Sequence, residues 1–228
     1  MTSVGGRPRQ IEESDIVRAG RTLGMRRLSL KAVAAELGVS ATALYRHVDN
    51  RWGLERLVGE SLLAELRLAD EPAHDLVQHL LSLGMQLRRH VLANPGLASY
   101  LQVLFPRGEA GRRLLADAVA ALERRGYAPE AAVVVCSAVA SLSIGYAAAE
   151  DLQAERADAI ESVRQDVMDD ILADERLARA HTRLPEVDSE TYARLILTAA
   201  IRGLVEVGPP GRPVAQIIAE LNEAGEGV

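Results

Sequence analysis

Ala41, Thr42, Tyr45 and Arg46 are the residues of this chain whose types and spacing best suit a chemical task. A small residue and a threonine methyl permit close approach to base edges, while a tyrosine hydroxyl and a guanidinium bond phosphate oxygens or guanine. The chemistry is recognition of double-stranded DNA. Leu44 and Val48, four apart, supply the core-facing side of the same helix and leave the other four pointing outward.

The elements that must hold this set lie just upstream. Leu30, Val33, Ala34 and Leu37 recur at i, i+3, i+4 and i+7, the spacing of one buried helix face. Ser29 precedes them as a cap, and Gly38 follows where a helix ends in a left-handed residue. Val39 then drops into the core and Ser40 caps the next helix. Two short helices joined by a glycine-containing turn, the second entering the major groove, form a helix-turn-helix. An αα-hairpin with a solvated outer face is the plain alternative.

The run LSLKAVAAELGVSATALYRHVDNRWGL, Leu28 to Leu54, is similar to the TetR family of bacterial transcriptional regulators. The resemblance covers that family's second helix, recognition helix and the start of its fourth. It implies that Tyr45, His47 and Arg51 meet DNA backbone or bases, that Lys31 makes a backbone or base contact, and that Ala41, Thr42 and Arg46 are the variable readers. Ser29 and Ser40 fall in the same DNA-binding stretch. Gly5-Gly6-Arg7-Pro8-Arg9 resembles the family's basic arms, placing Arg7 and Arg9 on the backbone or in a minor groove; a frayed terminus is the alternative. The interval from Ile16 to Leu28 is about four residues, or one helical turn, shorter than the family's. The first helix is therefore a turn short, or starts upstream toward Ile11.

Charge divides the chain in two. Residues 1–60 hold 10 basic against 7 acidic side chains, a net of +3, and residues 61–228 hold 16 against 25, a net of −9, giving the overall −6. A basic footprint on an acidic body fits site-specific DNA binding rather than general affinity for polyanions. At 228 residues and 48% hydrophobic content, the sequence supports a helix-turn-helix DNA-binding domain over 1–56 and a larger helical domain over 57–228. The single cysteine, Cys136, suits a reducing cytoplasm, and no signal peptide is recognisable.

The whole chain reads as all-α. Helices are expected over about 51–69, from Glu71-Pro72 to Asn94, to Phe105, over 109–125, from Pro129, over 189–207 and over 214–222; a charged, partly amphipathic segment covers 155–183. Ala131 to Ala149 lacks charge and approaches the length of a membrane span, but its Ala, Ser and Gly content and missing basic and aromatic anchors suggest a helix buried on all sides. Ala138, Ser141, Gly145 and Ala149 would let a neighbour pack closely, with the helix carrying Ile196 and Ala200 expected there. In the resembling family two such late helices pair with their copies in a homodimer, so these six residues are the expected dimer interface; burial of the pair inside one chain is the alternative.

The resemblance also implies a small effector among helices five to eight. His79, Gln86 and His90, with Tyr100, Phe105 and Tyr146, are the candidate contacts, each open to a structural role instead. So few aromatic side chains favour an apolar, aliphatic-lined pocket. No zinc spacing, cofactor motif, nucleophile elbow or phosphate loop is present, so no metal, no cofactor and no enzyme activity is expected. Asp166, Asp169, Asp170 and Asp174 read as a solvated face. The expected function is a ligand-responsive regulator, most simply a repressor, whose dimer binds a near-palindromic operator; a helical DNA-binding or protein-interaction module without sensing is the alternative.

Overall fold

A computed structural model describes residues 11–104 and 108–225, and all regular structure among them is helical, as the 3.6-residue periodicity predicts. Arg7, Arg9 and Phe105 lie outside the described residues. The helices gather into two compact units that do not divide at residue 56. One takes in the described residues through Arg67 together with those from Asn94 to Leu114; the other holds Leu68–Ala93 and those from Leu115 onward.

In the first unit, α1 (Glu13–Leu23) begins where Glu12 N–H donates to Asp15 Oδ2 at 3.2 Å. It starts directly after buried Ile11 and ends at Gly24, whose φ of 74° favours glycine. A 3-10 turn, Met25–Arg27, leads to α2 (Leu30–Leu37) and α3 (Ala41–Leu44). Ile16, Val33, Leu44, Leu54 and Val58 close a core around α1, α2 and α4 (Arg51–Leu63). Gly20 permits the approach of α1 to α4: a Cβ there would stand 2.5 Å from Val58 Cγ2.

The fourth helix stops at Leu63, short of the Ala69 that periodicity suggests. Leu66 turns inward, and the Arg113 guanidinium donates to the carbonyls of Leu63 and Leu66 at 3.4 and 3.3 Å. These bonds satisfy the helix end from a distant part of the chain. Arg113 lies in α7 (Glu109–Glu123), which follows α6 (Leu97–Leu104). Glu60 ties the three helices together by accepting from Tyr100 O–H at 3.0 Å and Ala110 N–H at 2.7 Å.

The second unit is built on α5 (Leu76–Ala93), α8 (Pro129–Ala173) and α10 (Ser189–Val207), with α9 (Glu175–His181) and α11 (Val214–Gly225) beside them. The fifth helix begins at Leu76 rather than after Pro72, because Asp75 and Gln78 cap one another reciprocally at 2.8 and 2.9 Å. Gly84 brings α5 against both neighbours, since a Cβ there would meet Ser143 Oγ at 2.6 Å and Leu197 Cδ1 at 3.5 Å.

Continuous helix runs for 45 residues through α8, absorbing much of the charged segment expected to stand apart. Residues 129–157 are long and apolar enough to span a bilayer. Their Ala132, Val139 and Ala147 side is buried within the unit, however, while Val133, Val134, Ser141 and Leu142 are exposed. The expectation of burial on all sides is thus corrected: α8 buries one side against α5, and the other stays uncovered in the single chain.

Candidate nucleic-acid interface

Ser29 and Gly38 fix the first half of the helix-turn-helix. Ser29 Oγ accepts from Ala32 N–H at 3.1 Å, and Gly38 adopts a left-handed conformation with φ 67° while its neighbour Val39 N–H donates to Ala34 O at 3.0 Å. Ser40 stands at the start of α3, but its side chain forms no cap; its carbonyl takes Ala43 N–H at 2.9 Å. The α-helical part of the reading element is one turn long, and the chain continues as a turn in which Val48 N–H donates to Leu44 O at 3.0 Å. Leu44 and Val48 are both buried, which orients everything between them.

Ala41, Thr42, Tyr45 and Arg46 are exposed on that scaffold, and His47 is half-buried. Lys31 is exposed on α2, with no ion-pair partner among the described residues. Asn50 Oδ1 caps α4 by accepting from Gly53 N–H at 3.0 Å, so Arg51 and Trp52 occupy its first turn. Arg51 Nε pairs with Glu55 Oε1 at 2.7 Å and remains solvated. Sequence reasoning passed over Trp52. It and Tyr45 are each 54% exposed and, among the described residues from α1 to α4, are the large apolar side chains open to solvent. Exposed aromatics beside arginines are enriched where surfaces bind partners.

The expected effector residues divide between the units. Tyr100 is buried in the first, where burial and the Glu60 carboxylate push its hydroxyl above the ordinary tyrosine range. His79, Gln86, His90 and Tyr146 belong to the second. Gln86 is spent on structure: Oε1 accepts from Ala69 N–H at 2.7 Å, and Nε2 donates to Ala69 O and Ser82 Oγ at 3.1 Å each. His79 Nδ1 stands 3.0 Å from Asp70 Oδ1, inside a group completed by Arg124 and Arg125. Burial holds its pKa below the usual histidine value. Tyr146 packs its ring 6.1 Å from that of Tyr192. Cys136 is buried, and desolvation lifts its thiol to about 12.

A cleft of about 250 Å³ opens instead beside α5, where His74, Gln78, Leu81, Met85 and Arg89 face Glu190 and Arg194 of α10. The 4, 3, 4, 4 spacing of the α5-side residues was visible in the sequence as one helical stripe, but the polar His74, Gln78 and Arg89 disguised it as solvated surface. Ser141, Ala149 and Ile196 are exposed, Ala138, Gly145 and Ala200 partly so. A Cβ at Gly145 would meet nothing within 4 Å. Gly145 therefore serves no close packing within the single chain. Among the described residues no His, Cys, Asp and Glu cluster is grouped to hold a metal.

No family model matches the chain, and no curated protein matches it in sequence. Solved structures do. ActR, a TetR family protein of Streptomyces coelicolor in complex with actinorhodin, superposes with a TM-score of 0.74 at 22% identity over 90% of this chain and 100% of its own. TetR-Q116A from Acinetobacter baumannii AYE in complex with minocycline gives 0.64 at 20% identity, over 89% and 97%. BioQ of Mycobacterium smegmatis gives 0.64 at 19%, over 86% and 99%. With its helix-turn-helix head and larger helical unit, the chain has the fold of the TetR family.

Proposed function

We propose that this protein is a transcriptional regulator that binds a near-palindromic operator as a homodimer and responds to a small effector, most simply as a repressor. The observation that carries the reading is the outward set Ala41, Thr42, Tyr45 and Arg46, held by buried Leu44 and Val48 behind the Gly38 turn. A groove-entering element this short reads few bases, so a second copy on a two-fold-related half-site supplies the rest of the affinity. The uncovered side of α8 with Ser141, Gly145 and Ala149, continued by Ile196 of α10, supports that pairing. Lys31, His47 and Arg51 are assigned to phosphate or base contacts, and Ser29 and Ser40 to the backbone at the helix starts.

Sensing is supported by the ligand-bound structures of ActR and TetR-Q116A, which share the fold. An effector acts only by preferring one of two states of the dimer, and the state it favours must present the heads at the wrong spacing for adjacent grooves. Binding, not catalysis, is the chemistry, and the cytoplasm is its place.

Gel shift on duplexes selected by the protein from random oligomers tests the reading. Thr42→Ala, Tyr45→Ala and Arg46→Ala should each weaken the selected duplex, with Arg46→Ala losing about 1–3 kcal/mol if it reads guanine. Undiminished binding by all three variants would remove the recognition element from α3.

A further inference from the structure

The cleft beside α5 has a cationic wall, an apolar floor and a histidine in its lining. Arg89 meets no carboxylate among the described residues; its Nε donates to the Met85 carbonyl at 3.3 Å, leaving the terminal nitrogens uncommitted. Among the described residues the Arg194 guanidinium has one ion-pair partner, Glu190, at 3.3 Å with both side chains more than half exposed. Such a pair is readily exchanged for another anion. Two guanidiniums against one carboxylate leave the wall with net positive charge. Leu81 and Met85 supply the floor. His74 also lines the cleft, and its Nδ1 is buried with no hydrogen-bond partner. Its imidazole gives the cleft a hydrogen-bonding group besides the arginines.

Placement along the helix gives the ligand a length. Helical side chains lean toward the N-terminus, which carries the Arg89 guanidinium back toward Met85. Gln78, on the His74 side of the cleft, stands seven residues before Met85 on α5, a separation of about 10 Å. An extended eight-carbon chain covers that distance.

We propose that this cleft binds a small amphipathic carboxylate, its anionic head on Arg89 and Arg194, its acyl or aryl body across Leu81 and Met85, and a hydrogen-bonding far end at His74. The proposal rests on the sensing reading above and names the class of effector. It adds an anionic head to the apolar body that an aliphatic-lined pocket would hold. The volume keeps the ligand small, since it falls below the ~300 Å³ at which ligand pockets commonly begin.

Isothermal titration of the full chain with 8-hydroxyoctanoate, octanoate and octanamide tests it without DNA. The hydroxy acid should bind tightest and the neutral amide about tenfold more weakly than octanoate. Arg89→Met, a change at an exposed position, should remove the preference for acid over amide. His74→Phe should abolish the preference for the hydroxy acid over octanoate while leaving that for acid over amide. Equal binding of acid and amide, an unchanged preference in Arg89→Met, or no heat from either acid up to about 10 mM overturns the proposal. Carboxylate binding that leaves the gel shift unaltered would instead refute the effector role and keep the cleft as a binding site; a shifted duplex with no carboxylate binding would refute the cleft and keep the DNA-binding reading.

Discussion

Arg88 and Glu150 face one another between α5 and α8 as a two-pronged pair, Nε to Oε2 at 2.7 Å and a terminal nitrogen to Oε1 at 2.6 Å, with Arg88 only 5% exposed. The hydrogen bonds to Glu150 hold the guanidinium pKa above its ordinary value against the opposing effect of burial. A buried pair of this kind contributes little net stability when intact, but losing one partner strands a charge.

Glu150→Gln should therefore destabilise the second unit by about 3–5 kcal/mol, lowering its melting temperature by about 10 °C. Arg88→Met combined with Glu150→Leu should recover most of the loss, because both charges leave together. Calorimetric melting of the three proteins decides the matter. A double variant as unstable as the single one would mean that α5 and α8 depend on the pair for their register.

Asp70 and His79 make stability depend on pH in two separate windows. The hydrogen bond from Arg125 holds Asp70 down to about 2, so its contribution is complete above the ordinary carboxylate range and is lost as pH falls from about 4 toward 2. His79 is shifted the same way for another reason: burial, reinforced by Arg125, disfavours the imidazolium and outweighs the attraction of Asp70. The unfolded chain then takes up a proton that folded His79 refuses, so this contribution is whole above about 6.5 and falls away below it. Melting temperature should decline between pH 6.5 and 5, and less steeply in His79→Gln. Parallel profiles for the two proteins across that interval would acquit His79.

Gly145 separates folding from pairing. With no atom within 4 Å of a Cβ there, Gly145→Arg fits the single chain and replaces a poor helix former with a good one. A long charged side chain on a two-fold interface meets its own copy, so in sedimentation the proposed dimer should give way to a folded monomer. Unchanged mass would move the dimer surface away from this side of α8.

Local signals made the head legible. Ser29, Gly38 and the Leu44 and Val48 pair act over fewer than five residues, and the structure uses each as the sequence implies. Ser40 misled because a residue at a helix start need not turn its hydroxyl inward. The end of α4 was invisible, since Arg113 reaches its carbonyls from some fifty positions away. Asp75 and Gln78 could have placed the start of α5, but Pro72 is the louder signal and belongs to the preceding turn. Nothing local to Gln86 reveals that its amide is tied to the Ala69 backbone. The cleft escaped notice for the opposite reason: its arginines look like surface until α10 is set beside them.

Trp52 offers a direct report on the head. It is the chain's single tryptophan, lies half-open in the first turn of α4, and neighbours Arg51. Its fluorescence in the free protein should be that of a hydrated indole, readily quenched by acrylamide. If the first turn of α4 meets the DNA backbone, the selected duplex should shield the ring and its N–H can donate to a phosphate oxygen. Trp52→Phe keeps the apolar face and removes the donor, so it should weaken binding less than Trp52→Ala, and both should act alike on matched and unmatched duplexes because backbone contacts carry no sequence information. Acrylamide quenching that is the same with and without bound duplex would turn Trp52, and the start of α4 with it, away from the DNA.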